Sequence, residues 1–210
     1  HQEKHRSLLG HLRHESGHYF WYLMRDNEYL MNQTKKSIRL LRDVEANMVP
    51  SGDKVTLAEG NLVQITQSLG GNHTVIINGN MAQISSDNAD ALGVKIEEDL
   101  HHSTDSNFSE QLVWDQLKTC YDPEIPVNIV ELGLIYDLNI KNEEDGKKNI
   151  TIMMTLTAPG CGMGPVIADE VERKVSALNS VKSVKVELVW EPQWNQGMMS
   201  EAAQLELGMF

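Results

Sequence analysis

Cysteine is nearly missing from this chain: 210 residues hold only two, Cys120 and Cys161. Two cannot build a disulfide framework, so a reducing compartment is the default expectation. Long apolar runs are missing as well. No stretch approaches the roughly 20 residues of a membrane-spanning helix, and the first residues carry no long apolar region of a secretory signal. Positive charge is scarce: 18 Lys and Arg stand against 30 Asp and Glu, a formal net charge of -12. Such a surface repels phosphate backbones and argues against a nucleic-acid partner. Aromatic residues make up 6%. What is present is ordinary globular material, 40% hydrophobic and 23% charged with 15 Gly and 6 Pro, enough for a core. The expectation is an acidic, cytoplasmic chain of one large domain or two small ones.

Three compositions follow one another. Residues 1–30 are a His-rich extension, with His1, His5, His11, His14 and His18 ahead of Tyr19-Phe20-Trp21-Tyr22. Leu8, Leu9, Leu12, Phe20 and Leu23 fall at roughly helical spacing, which predicts a helix there. Met31 opens a second composition, and the extension before it reads as a fusion remnant. Residues 31–105 predict a small β-rich domain followed by a linker. Short strand-like runs (Ile38–Leu41, Lys54–Leu57, Leu62–Thr66, Thr74–Ile77) alternate with turn chemistry at Pro50–Asp53, Glu59–Asn61, Gly70–Asn72 and Asn78–Asn80. Asn78-Gly79 is a hairpin signal, and the pattern suits a small barrel or meander. The polar run Asp99–Asn107 reads as the linker.

Residues 106–210 predict a compact α+β domain ordered helix-strand-strand-helix-strand, so the fold class is α+β. Ser109 caps a helix that buries Leu112, Val113 and Leu117 and stops before Pro123. Ile129–Ile140 and Ile150–Leu156 read as strands around the charged turn Asn142–Gly146. Pro165 opens a second helix, and Val181–Trp190 closes as a strand.

The most informative string is Thr157-Ala-Pro-Gly-Cys161-Gly-Met-Gly164-Pro165. It places Cys161 in a Gly-rich turn just ahead of a helix N-terminus. Free N–H groups and the positive dipole end favour a thiolate there, the form that binds iron or attacks an electrophile. A buried cysteine packing as a small hydrophobe is the plain alternative. Asp122-Pro-Glu-Ile-Pro126 is the second string. Its prolines frame Asp122 and Glu124 rigidly, either to meet a metal or helix end, or simply to cap nearby N–H groups. Cys120, at the end of the preceding helix, reads as packing.

Tyr121-Asp-Pro-Glu-Ile-Pro-Val-Asn-Ile-Val-Glu-Leu-Gly-Leu-Ile-Tyr136 and Met154-Thr-Leu-Thr-Ala-Pro-Gly-Cys161 resemble the small α+β domain of the PaaD/SufT family. The eukaryotic cytosolic iron–sulfur targeting factors share that domain. The tail (Val189–Trp194, Met198–Ala203, Leu205–Gly208) and the segments Pro50–Val55 and Gln67–Gly71 are similar to the SufT-type members. The resemblance implies a non-enzymatic accessory factor in iron–sulfur cluster assembly or protein maturation within the SUF system. It implies that Cys161, with Asp122, Glu124 and Thr157, handles iron or a cluster transiently or contacts a client. The implied partners are apo iron–sulfur proteins and SUF assembly components. One cysteine cannot supply the four ligands a cluster generally takes, so a bridged homodimer is compatible but not required. Two positions depart from the pattern. Gly162 stands where relatives usually carry Pro, which is expected to loosen the loop, and Gln193 stands where a second Pro is expected.

A rival signal lies in the extension. His14-Glu15-Ser-Gly-His18 fits H-E-x-x-H, which sets two imidazoles on one helix face to bind zinc and a carboxylate to activate water. Gly10–Trp21 resembles the motif helix of a zinc-binding metallopeptidase family. A third ligand is missing unless His101 or His102 folds back, so zinc and peptidase activity are not the expectation. An adaptor module with a structural Cys161 is the remaining alternative.

Overall fold

The computed structural model describes residues 37–94 and 108–209. The helix expected within residues 1–30 and the linker expected at Asp99–Asn107 lie outside the described residues. What is described has a β-rich first part and an α+β second part, as expected.

The first part is one antiparallel sheet of six strands: β1 (Ser37–Arg39), β2 (Val44–Val49), β3 (Lys54–Leu57), β4 (Leu62–Leu69), β5 (Asn72–Ile77) and β6 (Asn80–Ile84). They are ordered β1-β4-β5-β6-β2-β3. The β1–β4 ladder continues one residue past β1 into the turn before β4: Leu40 N donates to Asn61 O and Gly60 N to Leu40 O, both at 2.9 Å. Leu40, Val44, Val63, Val75, Ala82 and Ile84 fill the inside. Asn78-Gly79 makes the expected two-residue hairpin, since Ile77 pairs with Asn80. Its φ values of +51° and +82° are those of a type I′ turn, whose twist suits the strands it joins. β2 was not expected as a strand, and β6 was expected only as the far arm of the Asn78-Gly79 hairpin. Ala46, Asn47, Ala82 and Gln83 have weak β propensity, yet Ala46 and Ala82 are buried in the core of the sheet.

In the second part, Ser109 Oγ accepts from Leu112 N (3.4 Å) to cap α1 (Glu110–Leu117), which buries Val113 and Leu117. β7 begins at Ile135, not at Ile129, and runs to Asn142. The cause is local. Asn128 Oδ1 accepts from Val130 N (3.1 Å) and Glu131 N (2.9 Å), drawing the chain into turns, and Gly133 sits at φ +70°. β8 (Lys148–Met154) alternates cleanly, with Ile150, Ile152 and Met154 buried. α2 (Gly164–Ser176) then crosses over to β9 (Val181–Leu188), which lies parallel to β8. A short α3 (Glu201–Glu206) ends the tail, capped by Ser200 Oγ accepting from Ala203 N at 3.1 Å. The tail is pinned to the turns before β7: Trp194 Nε1 donates to Leu132 O (2.9 Å) and Ser200 N to Glu131 O (2.9 Å). Tyr136 adds a bond to Pro192 O at 2.8 Å.

The two parts share a packed face. Val49 of β2 belongs to the core of the α+β part, and Met81 packs against it. Thr74 Oγ1 donates to Pro123 O at 3.4 Å. Lys174 of α2 reaches across: its Nζ donates to Gly70 O (2.8 Å) and Thr119 O (2.7 Å) while pairing with Glu170 Oε1 at 2.8 Å. Both side chains of this pair are buried.

Candidate functional site

Cys161 lies in the loop that joins the end of β8 to the start of α2. Thr155 N donates to Leu134 O (2.8 Å) as the chain leaves the sheet, and Gly160 turns it at φ +81°. Gly164 N then donates to Cys161 O at 3.1 Å, and Pro165 falls in the first turn of α2 as expected. Cys161 is half-buried and packs at the edge of the α+β core, whereas Cys120 is fully buried. Cys120 donates weakly to Gln116 O (3.7 Å), and burial pushes its thiol up to about 12. The packing reading of Cys120 holds.

The electrostatics of Cys161 differ from the expectation. N–H groups of Met163 and Gly164 do point at the sulfur and favour the thiolate. They are outweighed. Burial first, and then the negative charge of Asp122 with a further contribution from Glu124, push the Cys161 thiol above its ordinary value. The helix terminus and the acidic neighbours were both expected beside Cys161; what the sequence does not weigh is burial, which together with those charges outweighs the terminus. Cys161 is therefore a protonated thiol at neutral pH, not a preformed thiolate.

The structure thus brings Asp122, Glu124 and Cys161 into one electrostatic group. Asp122 is buried, and its Oδ1 accepts from Glu124 N at 3.0 Å. Burial pushes its carboxyl up. Glu124 is pushed up to about 7, by burial and then by Asp122. Thr157 is half-buried in the same loop as Cys161. His14, Glu15, His18, His101 and His102 lie outside the described residues. His73 is buried with Nδ1 2.8 Å from Ser68 Oγ, and burial lowers its pKa. Among the described residues no three of His, Cys, Asp and Glu converge as a metal would need. No described helix is long and apolar enough to cross a membrane.

One contact was not legible in the sequence. The turn Pro50-Ser51-Gly52 of the first part lies directly against Gly162. A Cβ on Gly162 would overlap the Ser51 carbonyl, and one on Gly52 would overlap the Gly162 carbonyl. Gly162 was expected to loosen the loop. Instead it is filled by a neighbouring backbone, and a proline ring there would not fit.

Residues 110–188, which contain α1, the Asp122 loop, the Cys161 loop and β9, match the family described as "Iron-sulfur cluster assembly protein". A "Fe-S protein maturation auxiliary factor" of Porphyromonas gingivalis is 48% identical over 100 residues, which span 48% of this chain and 91% of that one. The chain belongs to this family. "Fe-S protein maturation auxiliary factor YitW" of Bacillus subtilis is 44% identical over 93 residues, spanning 44% of this chain and 87% of the relative. "Fe-S protein maturation auxiliary factor SufT" of Staphylococcus aureus is 40% identical over 88 residues, spanning 42% and 96%. A crystal structure of a domain of unknown function from Bacillus anthracis aligns with a TM-score of 0.43 at 35% identity, over 48% of this chain and 92% of that one. The three maturation factors are covered over 91%, 87% and 96% of their own length by matches to 48%, 44% and 42% of this chain. Residues 1–40 separately match the family described as "Putative zinc-binding metallo-peptidase".

Proposed function

We propose that this chain is a non-enzymatic accessory factor in the maturation of iron–sulfur proteins, and that Cys161 is its working residue. The observation that carries the reading is the position of Cys161. It is the half-exposed cysteine of the two, in the family-matching segment, and it shares its surroundings with Asp122 and Glu124.

Those carboxylates decide the chemistry. Negative charge beside a thiol disfavours the bare thiolate, but the same field attracts a cation. A soft ferrous ion prefers sulfur, and it binds by displacing the thiol proton. One Fe–S bond forms and one S–H bond breaks. Glu124, with a carboxyl titrating at about 7, is suited to take the proton. A single cysteine leaves the other ligand positions for a client, a second copy of the chain or a small thiol. Iron is thus cargo, held briefly and passed on to apo iron–sulfur proteins, with SUF components as donors in the cytoplasm.

The test compares Cys161→Ser with Cys120→Ser, by anaerobic ferrous binding in vitro and by aconitase activity in cells at matched protein levels. Serine stays neutral and binds iron poorly, so Cys161→Ser should fold but lose both signals, while Cys120→Ser should keep most of each. Full aconitase activity in the Cys161 variant would move the weight to an adaptor whose cysteine is structural.

A further inference from the structure

Gly162 is glycine for an unusual reason. Its own φ lies outside the left-handed region, so its backbone alone does not need glycine. The need comes from the first part of the chain: a Cβ there would overlap the Ser51 carbonyl and fall 2.8 Å from Pro50 O. Gly52, at φ +75°, faces the Gly162 carbonyl in return. Gly60 and Gly79, by contrast, occupy left-handed turns of the same sheet with nothing within 4 Å of their Cβ positions. Behind the glycine contact, Val49 shares one core with Met163, and Cys161 packs against that core. The other string of the site is tied to the same sheet, because Pro123 O accepts from Thr74 Oγ1. The loops bearing Cys161 and Asp122 therefore both rest on one protein surface that lies outside them.

We propose that the six-stranded sheet is a splint for the cysteine loop, with the Pro50–Gly52 turn as the positioning element that sets how far Cys161 stands open. The inference concerns this longer chain in particular, since the shorter family members are spanned by half of it. It rests on Cys161 being the working residue only for its biological meaning; the geometry stands by itself.

The experiment measures alkylation of Cys161 and Cys120 in the full chain by iodoacetamide at fixed pH, read by peptide mass spectrometry. Overpacking this contact in Gly52→Ala or Gly162→Ala should separate the turn from the loop. Cys161 alkylation should then rise about tenfold, as expected when a local closure is weakened. Cys120, buried in the core, should stay protected in both. Gly79→Ala carries the backbone strain of Gly52→Ala without the contact and should leave Cys161 unchanged. Where either variant also exposes Cys120, the chain has opened globally, and Thr74→Val takes its place. It removes only the hydroxyl that reaches Pro123 and should raise the Cys161 rate several-fold. Unchanged Cys161 alkylation with Cys120 protected, or an equal rise in Gly79→Ala, overturns the splint. Faster alkylation with normal aconitase maturation would leave the splint standing and count against Cys161 as the working residue.

Discussion

Lys174→Met should be among the most damaging single changes in the molecule. The Lys174 side chain is 6% exposed and that of Glu170 7%, with 2.8 Å between Nζ and Oε1. The same Nζ donates to Gly70 O in the sheet and Thr119 O after α1. Methionine matches the length of the stem but leaves Glu170 buried without its cation and two carbonyls without a donor. Breaking one side of a buried pair costs about 3–5 kcal/mol, and an unsatisfied buried acceptor adds roughly 1–3 kcal/mol where water cannot reach it. A loss of at least about 4 kcal/mol by urea denaturation at pH 7.5 is the expectation. The pH dependence adds a sign. Burial already raises the Glu170 pKa, against the opposing effect of Lys174. A raised carboxyl favours folding below its ordinary value, and that contribution is lost as pH rises through the folded value. Removing Lys174 raises the carboxyl further, so the penalty should shrink on acidification and widen in base. Glu170→Gln in the Lys174→Met background should recover part of the loss. A cost under about 1 kcal/mol, the level of a surface pair, would refute the buried bridge.

Two further outcomes follow from the site and from the extension. Glu124 titrates at about 7 in the folded chain, so its contribution to stability falls as pH rises from the ordinary glutamate range to about 7; Glu124→Gln should flatten that part of the stability–pH curve and gain stability at pH 8, measured by thermal melting across pH. Removing residues 1–30 should leave the melting transition of the rest cooperative and the zinc content by elemental analysis unchanged; stoichiometric zinc that disappears with those residues would establish a metal site in the His14-Glu15-His18 segment.

The features that were legible in the sequence are those decided within a few residues. Ser109 caps because its own hydroxyl meets Leu112 N, and Asn78-Gly79 turns because its own backbone tolerates positive φ. β3 runs over Lys54–Leu57, the very residues that its alternation marks. β2 escaped because Glu45, Ala46 and Asn47 have weak β propensity, although Val44, Ala46 and Val49 are buried by strands that arrive from elsewhere in the chain. The strand expected from Ile129 failed for a local reason that apolarity hid: the Asn128 side chain competes for the backbone.

Cys161 shows where local reasoning reverses. Its helix terminus is visible in Gly162-Met163-Gly164-Pro165 and does favour a thiolate. Asp122 and Glu124, brought in by a separate loop, tip the balance the other way. The raised thiol changes how the proposed iron handling would work without excluding it. A thiolate stabilised in advance would attract oxidants and alkylating agents as readily as iron. A thiol held protonated among carboxylates is unreactive until a cation arrives, and the cation lowers the cost of losing the proton. Under the proposed function, selectivity for metal over other electrophiles would come from the very charges that make the free thiol a poor nucleophile.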